Sequence, residues 1–149
     1  MIRTAEQAEK VAVAGDVYAL LATSEETNGA YALIEARVPP GGGPPPHTQS
    51  DVELFYILSG EITFTVKGED VTAGPGTSVR VEPGTVHAFK NNSADDARML
   101  IQTLPAGMDN YFREVGKPVA SMADDIPITT EHIEQLKTAA PKYGIQILT

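Results

Sequence analysis

Two imidazoles, an amide and a carboxylate stand along this chain in an order that suits a divalent cation. His47, Gln49 and Glu53 fall close together, and His87 follows 34 residues after Glu53. On an extended strand side chains repeat every two residues, so His47, Gln49 and Glu53 share one parity. A strand carrying His87 and folded against them would bring all four to one point. Two His and one carboxylate with open positions is the facial arrangement of non-haem iron oxygenases, and imidazole with carboxylate suits a single divalent transition metal: Fe, Mn, Ni, Co or Zn. Gln49 offers a neutral carbonyl oxygen, a harder and weaker donor than imidazole. Two places are open to it, as a fourth ligand or as a hydrogen-bonding neighbour of the ligands. Glu53 likewise has two possible roles: a plain ligand, or a ligand that also takes a proton from an enol or phenol.

The elements that must hold these residues read as strands punctuated by Gly and Pro. Val17 to Thr23 and Ala30 to Val38 are strand patterns joined by a turn-rich stretch. Pro39 to Pro46 is a Gly/Pro loop that neither a helix nor an inner strand could contain, and it delivers the chain to His47. Strands are expected again at Val52 to Leu58, Ile62 to Val66, Val71 to Ala73, Ser78 to Val81, Val86 to Lys90 and Arg98 to Leu104. About eight short strands at regular spacing predict an all-β, antiparallel sandwich or barrel. Phe55, Ile57, Phe64, Phe89, Met99 and Ile101 are the candidate walls of a substrate pocket; ordinary barrel core is the other reading of the same six. Tyr31, Met108 and Phe112 are candidates for its mouth. Leu54, Tyr56 and Leu58 face away from Glu53, so the outer side of their strand needs a cover. Either a second copy of the chain or helices expected at Asp109 to Val115 and Thr130 to Ala140 would provide one, with Asp109 and Thr130 as N-caps and Pro141 as the stop. His132 lies on the polar face of the second helix and is expected to meet solvent.

The chain from Gly41 to Gly60 resembles the first cupin motif, G-x5-H-x-H-x3-E-x6-G, with every spacing intact and Gln49 in place of the second His. Gly76, Gly84, His87 and Asn91 match the second motif, G-x5-P-x-G-x2-H-x3-N, with Glu82 in place of the Pro. The flanking text, from Thr27 to Tyr31 and through Pro105 to Gly107, with the closing Lys142 to Ile145, is similar to the small single-domain cupins of the quercetin-2,3-dioxygenase-like type. The resemblance implies a jelly-roll β-barrel with short C-terminal helices: one domain over residues 1–149, its barrel about 16–105 and a helical appendage about 106–149. It implies a metal held by His47, Gln49, Glu53 and His87. The implied activity is a dioxygenase attack on a small aromatic or enol, flavonol-like substrate, with Glu53 as catalytic base. Because one fold hosts many functions, a non-catalytic metal- or small-molecule-binding cupin and a cupin isomerase or lyase stand as alternatives.

Composition narrows the classes further. A formal charge of −9 argues against nucleic acid, since binding phosphate needs clustered Lys and Arg. No apolar run reaches membrane-spanning length. The polar start, Met1 to Lys10, has no secretory apolar segment, so the cytoplasm is expected. With no cysteine there are no disulfides, thiolate ligands or Cys nucleophiles. The expected partners are a small-molecule substrate and a second copy of the chain in a homodimer.

Overall fold

The computed structural model describes residues 1–148, so the final residue of the expected domain lies outside the described residues. Its strands are β1 (Glu9–Val13), β2 (Asp16–Ala22), β3 (Ala32–Val38), β4 (His47–Gln49), β5 (Val52–Ser59), β6 (Ile62–Val66), β7 (Glu69–Ala73), β8 (Ser78–Val81), β9 (His87–Lys90), β10 (Ala97–Leu104), β11 (Lys117–Val119) and β12 (Ile145–Ile147). They form an all-β, antiparallel jelly roll of two facing sheets. One sheet has the order β11-β1-β2-β3-β10-β5-β8, and the other β12-β4-β9-β6-β7. Alternation along β5 shows what drives the packing: Glu53, Phe55 and Ile57 turn inward and are buried, while Tyr56 and Leu58 stay 45% and 40% exposed. Ile57 and Phe55 sit opposite Met99 and Ile101 of β10. The Phe55, Phe64 and Phe89 rings meet with centroids 5.0–6.0 Å apart. Each such buried side chain contributes about 1.5–3 kcal/mol of transfer free energy, and together they fix the distance between the sheets.

The Gly/Pro loop is tied to the strand that carries His87. The Gly41 amide donates to Asn91 O at 2.8 Å, and the Asn91 amide donates to Gly42 O at 3.0 Å. Gly43 has φ +125° and passes so close to β9 that a Cβ there would lie 2.0 Å from Phe89 O, so only glycine fits. The Asn91 side chain donates to Val38 O and Asp95 O, fastening the end of β9 to β3 and to the following turn.

The C-terminal region is built into both sheets rather than appended. It holds helices α1 (Met108–Val115) and α2 (Thr130–Ala139), then a 3-10 turn over Ala140–Tyr143 that contains Pro141. Each N-cap falls one or two residues earlier than expected. Gly107 caps α1, leaving the Asp109 carboxylate to accept from the Ser24 amide and hydroxyl at 2.7 and 2.6 Å. Thr129 caps α2 by accepting from the His132 amide. β11 extends the first sheet beside β1, and β12 pairs with β4, setting Ile147 opposite His47 and Ile145 opposite Gln49. The helices do not cover the outer face of β5. They close the interior from its open end, where Phe112 stacks on Tyr18 with centroids 4.1 Å apart. His132 is not solvent-facing as expected: its Nε2 accepts from the Ala14 amide at 2.9 Å, pinning α2 to the β1–β2 turn, and burial holds its pKa below the usual value. Among the described residues no helix is long and apolar enough to cross a membrane.

Candidate metal centre

His47 and His87 are direct cross-strand partners on β4 and β9, with ring centroids 4.3 Å apart. Glu53 arrives from the opposite sheet. The chain breaks at Ser50–Asp51 between β4 and β5, so the shared parity of Gln49 and Glu53 is not what brings them together; the facing of the two sheets is. Donor atoms of His47, Glu53 and His87 all lie within 4.8 Å of one another. These three and Gln49 are buried, between 2% and 8% exposed.

Hydrogen bonds around the cluster decide which atoms face inward. His47 Nδ1 lies 2.9 Å from Pro45 O, and His87 Nδ1 lies 2.8 Å from Thr85 O. A carbonyl only accepts, so each ring donates through Nδ1 and turns Nε2 toward its neighbours. Gln49 Nε2 donates to Asp51 Oδ1 at 2.6 Å, which aims the amide oxygen at His47 Nε2, 3.2 Å away. With His47 neutral, that contact sets acceptor against acceptor. Burial first, and the neighbouring His87 second, hold the His47 pKa below its ordinary value, so a second proton is not the remedy. A cation between the two lone pairs is. On the other side His87 Nε2 meets Glu53 Oε1 at 3.1 Å. Burial pulls the His87 pKa down, but the hydrogen bonds to Glu53 and to the Thr85 carbonyl, with the charges of Glu53 and Asp51, together more than offset this, and the net shift is upward. The donor set fits a divalent transition metal.

The cluster opens into a cavity of about 120 Å³. His47 and Glu53 line it, with Phe89 and Ile101 from the sheets, Met108 and Phe112 from α1, and Ile133 and Leu136 from α2. Of the six expected pocket walls only Phe89 and Ile101 reach this space. Phe55, Ile57, Phe64 and Met99 pack behind it as core, the other reading of that set. Met108 and Phe112 do border the cavity, whereas Tyr31 is an exposed residue away from it.

Asp16 also lines the cavity, and it is 2% exposed. Burial pushes its carboxyl up to about 7, an effect tempered by the hydroxyl of Tyr18, which donates to Oδ2 at 3.1 Å. A carboxyl whose folded pKa is raised binds more protons folded than unfolded, so its burial costs little near the unfolded pKa of 3.8 and progressively more as pH climbs to about 7. Relative to the wild type, Asp16→Asn is therefore expected to gain up to ~4 kcal/mol of unfolding free energy between about pH 4 and about pH 7, and nothing further above that. Urea titrations across this range measure it. A mutant-minus-wild-type difference that is flat with pH would mean Asp16 ionises normally in the fold.

Four polar residues of the site were absent from the sequence reading. Asp16 follows Gly15 and reads as a turn former; Asp51 sits in the Ser50–Asp51 break and reads the same way. Tyr18 reads as one apolar position of a strand. Thr103 is fully buried across from Glu53 on β10, and its hydroxyl has no partner. Ile133, Leu136, Ile145 and Ile147 follow an amphipathic pattern that shows they are buried, but not that they are buried against the cavity.

Comparison with known proteins agrees with the fold. A family model described as a cupin domain matches residues 34–102, a stretch that holds all four donors. Quercetin 2,3-dioxygenase of Bacillus subtilis is 23% identical over 113 residues, which is 75% of this chain and 33% of that protein. The chain thus spans about a third of that relative's length. Among solved structures, a predicted oxalate decarboxylase from Thermotoga maritima superposes with TM-score 0.65 at 23% identity, covering 70% of this chain and 99% of the other. KdgF from Halomonas sp. gives 0.64 at 15% identity, covering 74% and 98%.

Proposed function

We propose, from the cupin-domain match over residues 34–102 and from the donor cluster, that this chain is a cupin and a metal-dependent dioxygenase acting on a small aromatic or enol substrate. The observation that carries the proposal is the placement of Glu53, which is both a member of the cluster and part of the wall of an apolar cavity. His47, Glu53 and His87 would hold Fe, Mn, Ni, Co or Zn, with the Gln49 carbonyl oxygen as a fourth donor. A bound ion would supply a Lewis-acid template and, where it is redox-active, a route for electrons to oxygen. The chain does the rest. Its Pro45 and Thr85 carbonyls hold both rings in the tautomer that presents Nε2, and Asp51 holds the Gln49 amide in register. Phe89, Ile101, Met108 and Phe112 keep water from a flat substrate, and Glu53 takes the proton of its enol or phenol hydroxyl. The similarity to the Bacillus subtilis quercetin 2,3-dioxygenase supports the reaction class.

Oxygen uptake tests the reading. Protein loaded in turn with iron, manganese, nickel or cobalt should consume oxygen with one-ring phenols, catechols or flavonols. No uptake with any of them would leave a metal-binding module ahead. A non-oxidative isomerase or lyase is favoured over that module by one observation: Asp16 puts a second acidic residue on the cavity wall beside Glu53, and two carboxyl groups can move a proton from one carbon to another.

The assembly proposed with this function is a homodimer. Tyr56 and Leu58 remain exposed because α1 and α2 close the cavity instead, so a second copy is the cover left for that face. Light scattering at micromolar concentration should give twice the chain mass, and Leu58→Glu should give the single mass. A wild-type monomer would refute the dimer.

A further inference from the structure

Two buried side-chain atoms among the described residues lack a hydrogen-bond partner, Asp16 Oδ1 and Thr103 Oγ1. Asp16 Oδ1 is packed against the Gly42–Gly43 loop, where the Gly43 amide tempers its burial. Thr103 Oγ1 has no such relief. The residue is 0% exposed near the end of β10, and it is not on the wall of the cavity. A hydroxyl taken out of water costs stability unless a partner completes it, and buried polar groups without one are rare. What completes this one has to be a group of the chain itself.

Strand register names that group. Thr103 stands between Ala32 of β3 and Glu53 of β5 as its direct cross-strand neighbours, and side chains so paired share a face with Cβ atoms about 4.5–5.5 Å apart. Its diagonal neighbours on that face are Ile34 and Phe55, and Ile101 precedes it there on β10. All but Glu53 are apolar. Glu53 in turn meets His87 Nε2 through Oε1 at 3.1 Å, a hydrogen bond only while that ring nitrogen carries a proton. A ring that gives its Nε2 lone pair to a cation has no proton there. The carboxylate of a filled cluster has therefore lost that donor. It accepts at both oxygens, and the Thr103 hydroxyl is the unused donor opposite it.

We propose that Thr103 is a positioning residue for Glu53: its hydroxyl donates to the Glu53 carboxylate when the cluster holds a cation, and so sets which carboxylate oxygen faces the ion. This rests on the metal-site reading and on nothing about oxygen or the substrate. Metal binding by the wild type tests that reading alone, and variants of Thr103 test the hydroxyl alone, so the two failures show up separately.

The test measures zinc affinity by chelator competition in wild type, Thr103→Val and Thr103→Ser, with the visible spectrum of each protein loaded with cobalt. Valine keeps the shape of threonine and removes the hydroxyl, whereas serine keeps the hydroxyl. Thr103→Val should bind zinc about 10–100-fold more weakly, the usual loss when an outer partner of a metal ligand is removed, and its cobalt bands should move. Thr103→Ser should recover most of the affinity and the wild-type bands. Urea unfolding of the metal-free proteins supplies the contrast. There Thr103→Val should be at least as stable as wild type, because it removes a buried hydroxyl that has no partner. A purely structural threonine would lose stability and leave the cobalt bands in place. Should Thr103→Val not fold, Thr103→Ala against Thr103→Ser, which differ by the hydroxyl alone, makes the same comparison. Unchanged zinc affinity in Thr103→Val, an equal loss in Thr103→Ser, or a metal-free Thr103→Val less stable than wild type would overturn the assignment. Wild type that binds neither zinc nor cobalt would overturn the metal site and this role with it.

Discussion

Glu53→Gln is expected to lower oxygen consumption by about 10²–10⁴-fold, the usual worth of a positioned general base, while metal content falls far less. The amide keeps an oxygen where Glu53 Oε1 now meets His87 Nε2, so a donor remains in the cluster. What it cannot do is accept a proton from an enol or phenol near neutral pH. Oxygen uptake and metal content are to be measured on the same preparations, because a fall in both together would report lost metal rather than a lost base. Full oxygen consumption with metal retained would make Glu53 a ligand only and put the base elsewhere, Asp16 being the other carboxyl on the cavity wall.

Metal affinity should fall most in His87→Ala. His87 belongs to the three-residue set whose donor atoms already lie within 4.8 Å of one another, and removing it leaves His47 without its cross-strand partner and Glu53 without the ring that its Oε1 meets. Gln49→Ala removes a weaker neutral donor, and Asp51→Ala frees the amide that Asp51 orients, so each should cost about 10–100-fold, as outer partners of metal ligands do. Competition with a chromogenic chelator ranks the three variants. Equal losses in His87→Ala and Gln49→Ala would make Gln49 a full ligand and the site a true four-donor one. An Asp51→Ala protein with undiminished affinity would mean the amide needs no holding.

The fold was largely legible because its signals are local. Gly and Pro mark the turns, and alternation along Val52 to Leu58 separates the inward Glu53, Phe55 and Ile57 from the exposed Tyr56 and Leu58. His47, Gln49, Glu53 and His87 stood out by residue type and by a spacing that fits the two cupin motifs. Long-range placement was not legible. β4 and β12 are three residues each, too short for a periodicity to show, yet their pairing is what brings the tail to His47. The helices at the C-terminus were recognisable as helices, but an amphipathic face does not say which apolar surface it will meet, and theirs meets the interior between the two sheets. For the same reason Phe55, Ile57, Phe64 and Met99 could not be told from cavity walls: core and cavity positions share one alternation and differ only in what the opposite sheet and α1 leave unfilled. Asp16 and Asp51 were hidden by their neighbours, since Asp beside Gly or Ser is the common composition of a turn.

Elemental analysis of the protein, purified without chelators or metal-affinity resin, tests the central claim most directly. The account predicts a stoichiometric transition metal bound at the His47–Glu53–His87 cluster, present in wild type and lost in His87→Ala. Wild-type protein that carries no transition metal, and takes none up on dialysis against iron, manganese, nickel, cobalt or zinc, would contradict it.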